Sequence, residues 1–225
     1  MSLPSSILLP PGGQRVLFVL AHPDDADFIC GGTVALLAEE GKDVHYLVLT
    51  RGDAGGDAAR REREQHCAAD LLGVKTVTFL NSYADGEIEP TISLRRDIAL
   101  VVRQWHPDVV FTFDPWKRYD MHPDHRAVGI GTQDALVNAS AQNFPEQLIN
   151  DIEPYKVKHL YYFSTDQPNH WVDISSVIDK KIAAMRCHES QMNGFDPDEY
   201  ARRKGREAGM THKYKLAEAF HHDVL

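Results

Sequence analysis

The stretch AHPDDADFICGGT, residues 21–33, places His22, Asp24 and Asp25 directly after the apolar run VLFVL. A second polar cluster, DPWKRYDMHPDH, runs from Asp114 to His125 and ends on His122, Asp124 and His125. Uncompensated carboxylates are costly to bury, so such residues either ring something positively charged or form an acidic turn. A single His-Pro-Asp is ordinarily a turn. Two such clusters at one place are different: one carboxylate and two histidines drawn from them make a three-ligand zinc site with a position open to water. Zinc lowers the pKa of bound water to about 7, and a spare carboxylate nearby can take the water's proton and return it to a leaving group. The same donor types also describe a non-heme iron oxygenase centre. A sugar-binding protein would keep the ligands but would not need the spare carboxylate.

The surrounding pattern predicts that the two clusters meet. RVLFVLA, residues 15–21, reads as a strand covered on both faces, and GGTVALLAEEGK as a helix starting near Thr33 and stopped by Gly41. DVHYLVLT is a strand ending at Thr50, RGDAGGD a Gly-rich loop, and AARREREQHCAADLLG a charge-laced helix closed by Gly73. TVTFL is a short strand, NSYADGEI a turn, SLRRDIALVVRQW a helix and DVVFTF a further buried strand. This alternation predicts an α/β, mostly parallel, doubly wound sheet. Open parallel sheets bind ligands beyond the carboxyl ends of their strands, where both clusters fall. Past residue 140, HLYYFS predicts a strand and SSVIDKKIAAMRCH and DPDEYARRKGREAG two helices, a region expected to cover one end of the same sheet.

Composition narrows the partners. A 225-residue chain with 43% hydrophobic and 25% charged residues suits one globular domain, residues 1–225. A net charge of -9 argues against nucleic acid and anionic membranes, and RRKGR at Arg202–Arg206 reads as a solvated helix face. Cys30, Cys67 and Cys187 show no C-x-x-C spacing and read as buried small hydrophobes in a reducing, cytoplasmic setting, without a disulfide framework. The opening MSLPSSILLPPGG has no signal-like pattern, and no run approaches a membrane span. Gly31 and Gly32 lack the Lys-Ser/Thr of a phosphate loop.

AHPDD with GGT, TRGDAGG, Arg61 and Glu64, Leu72-Gly73, Asp85-Gly86, HPDH, KIAAMRCHESQ and AEAF, in this order, resemble the LmbE-like/PIG-L family of zinc-dependent N-acetylglucosaminyl deacetylases. The resemblance implies a Rossmann-like three-layer fold with a C-terminal covering region. It implies one zinc ion per chain, with iron or cobalt as alternatives, held by His22, Asp25 and His125. Asp24 would be general base and then general acid; His122 would stabilise the oxyanion, with Asp124 holding its imidazole protonated. Arg51, Asp85, Asp120 and His188 are the expected substrate contacts. Their plainer readings are an ion pair of Arg51 with Asp53 or Asp57, an Asp-Gly turn, and a core or capping histidine. His66 and His106 read as structural, and His221 and His222 as a frayed tail. Relatives acting on mycothiol precursors carry tyrosine two places before the first His of HPDH; here Asp120 stands there beside Tyr119, which resembles the bacillithiol-type or chitooligosaccharide-type members instead. The implied partner is a small amino-sugar substrate, and the implied assembly a homo-oligomer, trimer or hexamer, in which Trp116 and Tyr119 would line the sugar pocket or an interface.

Overall fold

Arg15–Leu20 forms β1, whose residues from Val16 onward are wholly screened from solvent, as a run apolar on both faces requires. The computed structural model describes residues 14–142 and 152–225. From β1 the chain alternates through α1 (Asp25–Glu39), β2 (Asp43–Val48), α2 (Ala58–Leu72), β3 (Thr76–Phe79), α3 (Ile92–Trp105), β4 (Val109–Phe113) and α4 (Pro123–Ser140). It continues through β5 (His159–Phe163), β6 (His170–Asp173), α5 (Ile178–Cys187), α6 (Pro197–Gly209) and β7 (Ala217–Val224). The sheet order is β3-β2-β1-β4-β5-β7-β6. The first five strands run parallel, and β7 pairs antiparallel with both β5 and β6.

The core is built across the central strands. Phe18 on β1 stacks on Phe111 of β4 at 4.5 Å and meets Tyr46 of β2 edge-on at 5.6 Å; such pairs add about 0.5–1.5 kcal/mol beyond area burial. α3 packs with α4, while α1, α2, α5 and α6 pack with one another, which gives helices in two groups flanking the sheet. The chain reverses its direction of winding between β1 and β4, so a crevice opens there at the carboxyl edge.

Several expectations are corrected. The helix expected from Thr33 begins at Asp25, and the backbone leaves helical geometry at Cys30 (φ -136°, ψ 23°). Just past this kink, the N–H groups of Gly32 and Thr33 donate to the Glu218 carboxylate of β7 at 3.0 and 2.7 Å. A Cβ on Gly32 would stand 2.7 Å from Ile174, so only glycine fits this close approach. α4 was not legible: Pro123 supplies its first turn, but Gly129 and Gly131 depress its propensity. Gly129 is there because a Cβ would reach within 2.6 Å of the Phe113 carbonyl, so the helix can lie against the end of β4. His221 and His222 belong to β7 rather than to a frayed tail. The late region both extends the sheet, through β5 to β7, and covers it, through α5 and α6.

Cys67 and Cys187 form a disulfide with Cα atoms 5.9 Å apart, contrary to the reading of both as buried thiols; Cys30 is free and buried. α2 and α5 pack side by side, which the separation of 120 residues in sequence could not reveal. The RRKGR run is a solvated face of α6, where Arg203 and Lys204 pair with Glu207 and Arg202 with Asp198 and Asp179. The expectation about the opening segment concerns residues 1–13, outside the described residues. Among the described residues no helix is long and apolar enough to cross a membrane.

Candidate active site

β1 delivers His22 to the crevice, and the chain turns so tightly into α1 that Asp24 adopts φ 92°, a left-handed geometry that non-glycine residues avoid. Two groups on α2 hold it there. Gln65 accepts from the Asp24 N–H at 2.7 Å, and Arg61 places Nη2 2.9 Å from Asp24 Oδ2. Arg61 also donates to the carbonyls of Gly52 and Pro23, so the guanidinium is fixed on three sides. Asp25 opens α1, and its Oδ2 accepts from the N–H groups of Ala21 and His22 at 3.0 and 2.7 Å.

β4 and α4 deliver the second cluster. His122 is the residue before α4, Asp120 accepts from its N–H at 3.1 Å, and Asp124 sits in the first turn, where a carboxylate suits the helix N-terminus. His125 stacks on Phe113 at 4.0 Å and on His122 at 4.4 Å. The two clusters meet: His22 faces His122 at 4.6 Å and His125 at 5.5 Å between ring centres. Asp25 Oδ1 lies 3.4 Å from His125 Nε2, and Asp25 Oδ2 lies 3.8 Å from His22 Nδ1. His22, Asp24, Asp25, Arg61, Asp85, His122 and His125 line a cleft of about 340 Å³ with Ala54, Gly55 and Gln191.

The donors fit a divalent cation. His22, His122 and His125 have ring nitrogens within 4.8 Å of one another, with Asp25 beside them. His22 Nε2 faces Asp124 at 2.9 Å and Asp85 at 3.0 Å, which leaves Nδ1 on the side of Asp25, as a metal ligand with a carboxylate behind it requires. The Nδ1 of His122 is buried with no hydrogen-bond partner. Electrostatics agree: burial alone would lower the His22 pKa, but Asp25, Asp124 and Asp85 raise it to about 9. Positive charge is wanted at this point. Burial would raise the Asp25 carboxyl, yet bonding to His125 and His22 holds it well below the usual range. Asp24 differs: burial and then the Asp25 charge push it up to about 6, against His188, Arg61 and His22.

Other expected roles are corrected. Asp124 does not hold His122: it is fully buried and spends its carboxylate on His22 and on the N–H groups of Gly86 and Ile88. Burial and the neighbouring His125 and His22 lower the His122 pKa, so the imidazole is neutral at rest. Arg51 pairs with Glu62, not with Asp53 or Asp57, and lies outside the cleft lining. Asp120 lies 3.9 Å from His125 Nδ1, behind the site. His188 is fully buried and meets Asp27 at 2.8 Å, the core reading rather than a substrate contact. Asp85 does line the cleft and also accepts from the Ala54 N–H, tying the Gly-rich loop to His22. Trp116 lines a separate cleft with Tyr162, and Tyr119 is exposed.

Arg61, Gln65 and Asp27 hold Asp24 in ways that spacing in the sequence does not reveal. Asp27 accepts from Gln65 at 2.8 Å and faces His188, so a buried chain of polar contacts runs from α5 to the Asp24 backbone. The motif pair Arg61 and Glu64 was the available signal: Glu64 accepts from Ser190 on the segment that carries Gln191 into the cleft wall.

Residues 17–136 match the PIG-L family, described as GlcNAc-PI de-N-acetylase, and the chain belongs to that family. It is 38% identical over 188 residues to a diacetylchitobiose deacetylase of Thermococcus kodakarensis, covering 79% of this chain and 70% of the relative. A probable N-acetyl-alpha-D-glucosaminyl L-malate deacetylase 2 of Bacillus cereus is 27% identical over 92% of this chain and 96% of its own length. In three dimensions the chain superposes on N,N'-diacetylchitobiose deacetylase of Pyrococcus horikoshii with a TM-score of 0.89 and 31% identity, over 94% of this chain and 84% of the other.

Proposed function

We propose that the protein is a metal-dependent N-deacetylase that hydrolyses the acetamide of a small molecule containing N-acetylglucosamine, releasing acetate and a free amine. The observation that carries this reading is Asp24, held by Arg61 in the same cleft as the imidazole cluster of His22, His122 and His125. Membership of the PIG-L family and likeness to the two kinds of deacetylase above support it. The runner-up readings have no such support: an oxygenase has no use for the Asp24 carboxylate, and a sugar-binding protein needs no proton carrier.

His22, Asp25 and His125 would hold the metal, zinc by choice, with His122 at its border. The ion would supply Lewis acidity, making water a nucleophile at neutral pH and polarising the acetyl carbonyl. Asp24 takes the proton of the attacking water and returns it to the amide nitrogen as the C–N bond breaks. Arg61 aims the Asp24 oxygen, and Asp124 and Asp85 set the tautomer of His22. A ring N–H of His122 donates to the oxygen that becomes negative as the carbonyl carbon turns tetrahedral. Asp85, which lines the cleft, would contact a sugar hydroxyl. A single domain and a trimeric or hexameric assembly belong to the same reading, the assembly tested by light scattering. The function is tested by NMR of acetate release from diacetylchitobiose and from malate and inositol conjugates of N-acetylglucosamine. Release of acetate and amine in equal amounts from one of them supports the reading; intact substrates with a loaded metal site overturn it.

A further inference from the structure

Three histidines outside the cleft converge at the other edge of the sheet. His159 begins β5, so it lies at the amino edge, a strand length from the carboxyl edge that carries His22 and His125. In register, His222 of β7 stands opposite Tyr161 and His170 of β6 opposite Phe220, which sets the three histidines diagonally across β5, β7 and β6. His159 Nδ1 and His222 Nε2 are 3.1 Å apart, with ring centres at 5.3 Å. His170 is 6.0 Å from His222 between ring centres, and its Nε2 is buried without a hydrogen-bond partner. All three residues are half-buried.

The His159–His222 separation suits one ion. Two imidazole nitrogens at about 2.0–2.1 Å from a tetrahedral zinc stand about 3.3 Å from each other, close to the 3.1 Å observed. The framework is firm. Tyr161 stacks on His222 at 4.2 Å, and Asn169 grips the backbone of His222 through both its N–H and its carbonyl. Burial, then His159 and His170, lower the pKa of His222 to about 4, and burial lowers those of His159 and His170, so the neutral rings are favoured; the His159–His222 hydrogen bond gives way when both nitrogens turn lone pairs to an ion. Lys158 opposes a cation here and Asp108 favours one.

We propose that His159, His222 and His170 form a second metal site, for a borderline divalent ion such as zinc or nickel, which staples the C-terminal strand β7 to both of its neighbours. The His159 and His222 nitrogens already stand at ligand spacing, and a turn of the His170 side chain brings in the third. A water completes the tetrahedron. The site does no chemistry on substrate and is independent of the acetamide cleft.

The test is zinc stoichiometry on the whole metal-stripped chain, by calorimetry and elemental analysis, for the parent protein and for the His159→Gln, His222→Gln double variant. The parent binds one ion more per chain than the double variant, and that extra ion raises the melting temperature. Because the readout is a difference, it stands whether or not the acetamide cleft takes metal. Equal stoichiometry overturns the proposal. Should the double variant fail to fold, the imidazole nitrogen resonances of the parent decide: His159, His170 and His222 shift together on zinc addition, and their failure to move overturns the site.

Discussion

Arg61 on α2 and Asp24 at the head of α1 are joined by an Nη2–Oδ2 contact of 2.9 Å, and the guanidinium is 6% exposed. The pair is placed so that Arg61 sets both the direction of the Asp24 oxygen and its readiness to ionise. Removing the guanidinium leaves burial and Asp25 less opposed, so the Asp24 pKa rises above its present value of about 6. Arg61→Gln therefore moves the acidic limb of the kcat/KM profile to higher pH. A merely structural loss would lower the whole profile without moving it.

Asp24→Asn keeps the size of the side chain and removes the proton carrier. We expect metal content to be unchanged and acetate release to fall about 100- to 10,000-fold. Elemental analysis beside the rate assay checks both halves, and parental turnover would mean another group is the base.

Asp124→Asn acts on the metal through His22. A buried carboxylate that fixes the tautomer of a ligating histidine is worth about 10- to 100-fold in metal affinity, so competition with a chelator should show zinc bound that much more weakly. An unchanged affinity would separate Asp124 from the site.

The disulfide closes a loop across 120 residues. Its loss should cost about 2–5 kcal/mol of unfolding free energy, measured as a lower urea midpoint for Cys67→Ser or for the parent under dithiothreitol. A midpoint that does not move would show that the two thiols stay unpaired in solution.

His222 gives a pH dependence of stability in the metal-free protein. Burial, then His159 and His170, lower its folded pKa to about 4, against about 6.5 in the unfolded chain. Between these values the unfolded chain binds more protons, so this contribution is intact above pH 6.5 and is lost as pH falls toward 4. His222→Phe keeps a ring against Tyr161 and should flatten that part of the stability profile.

Much of this was legible because local patterns agreed with the global fold. The run RVLFVL reads as a strand covered on both faces, and the Gly73 cap ends α2 as the sequence implies. The meeting of HPDD with HPDH followed from the sheet topology. What stayed hidden depended on contacts distant in sequence. Glu218 of β7 caps the kinked α1 at Gly32 and Thr33 and pairs with buried Lys181 at 2.6 Å, so three separate motifs, GGT, the KIAAMRCHESQ helix and AEAF, turn out to be one structural joint. The partner of Asp124 could not be read from spacing either, because His22 lies 102 residues away. Its neighbour two places back, His122, was the nearer and mistaken choice.

The most direct measurement is acetate release from diacetylchitobiose by the metal-stripped protein, titrated with zinc, beside the Asp24→Asn variant under the same loading. We expect no release without metal, full release once the cleft is loaded, and at most about one per cent of that rate from the variant. Turnover by the stripped protein, or by the variant at the parental rate, would contradict the proposed mechanism.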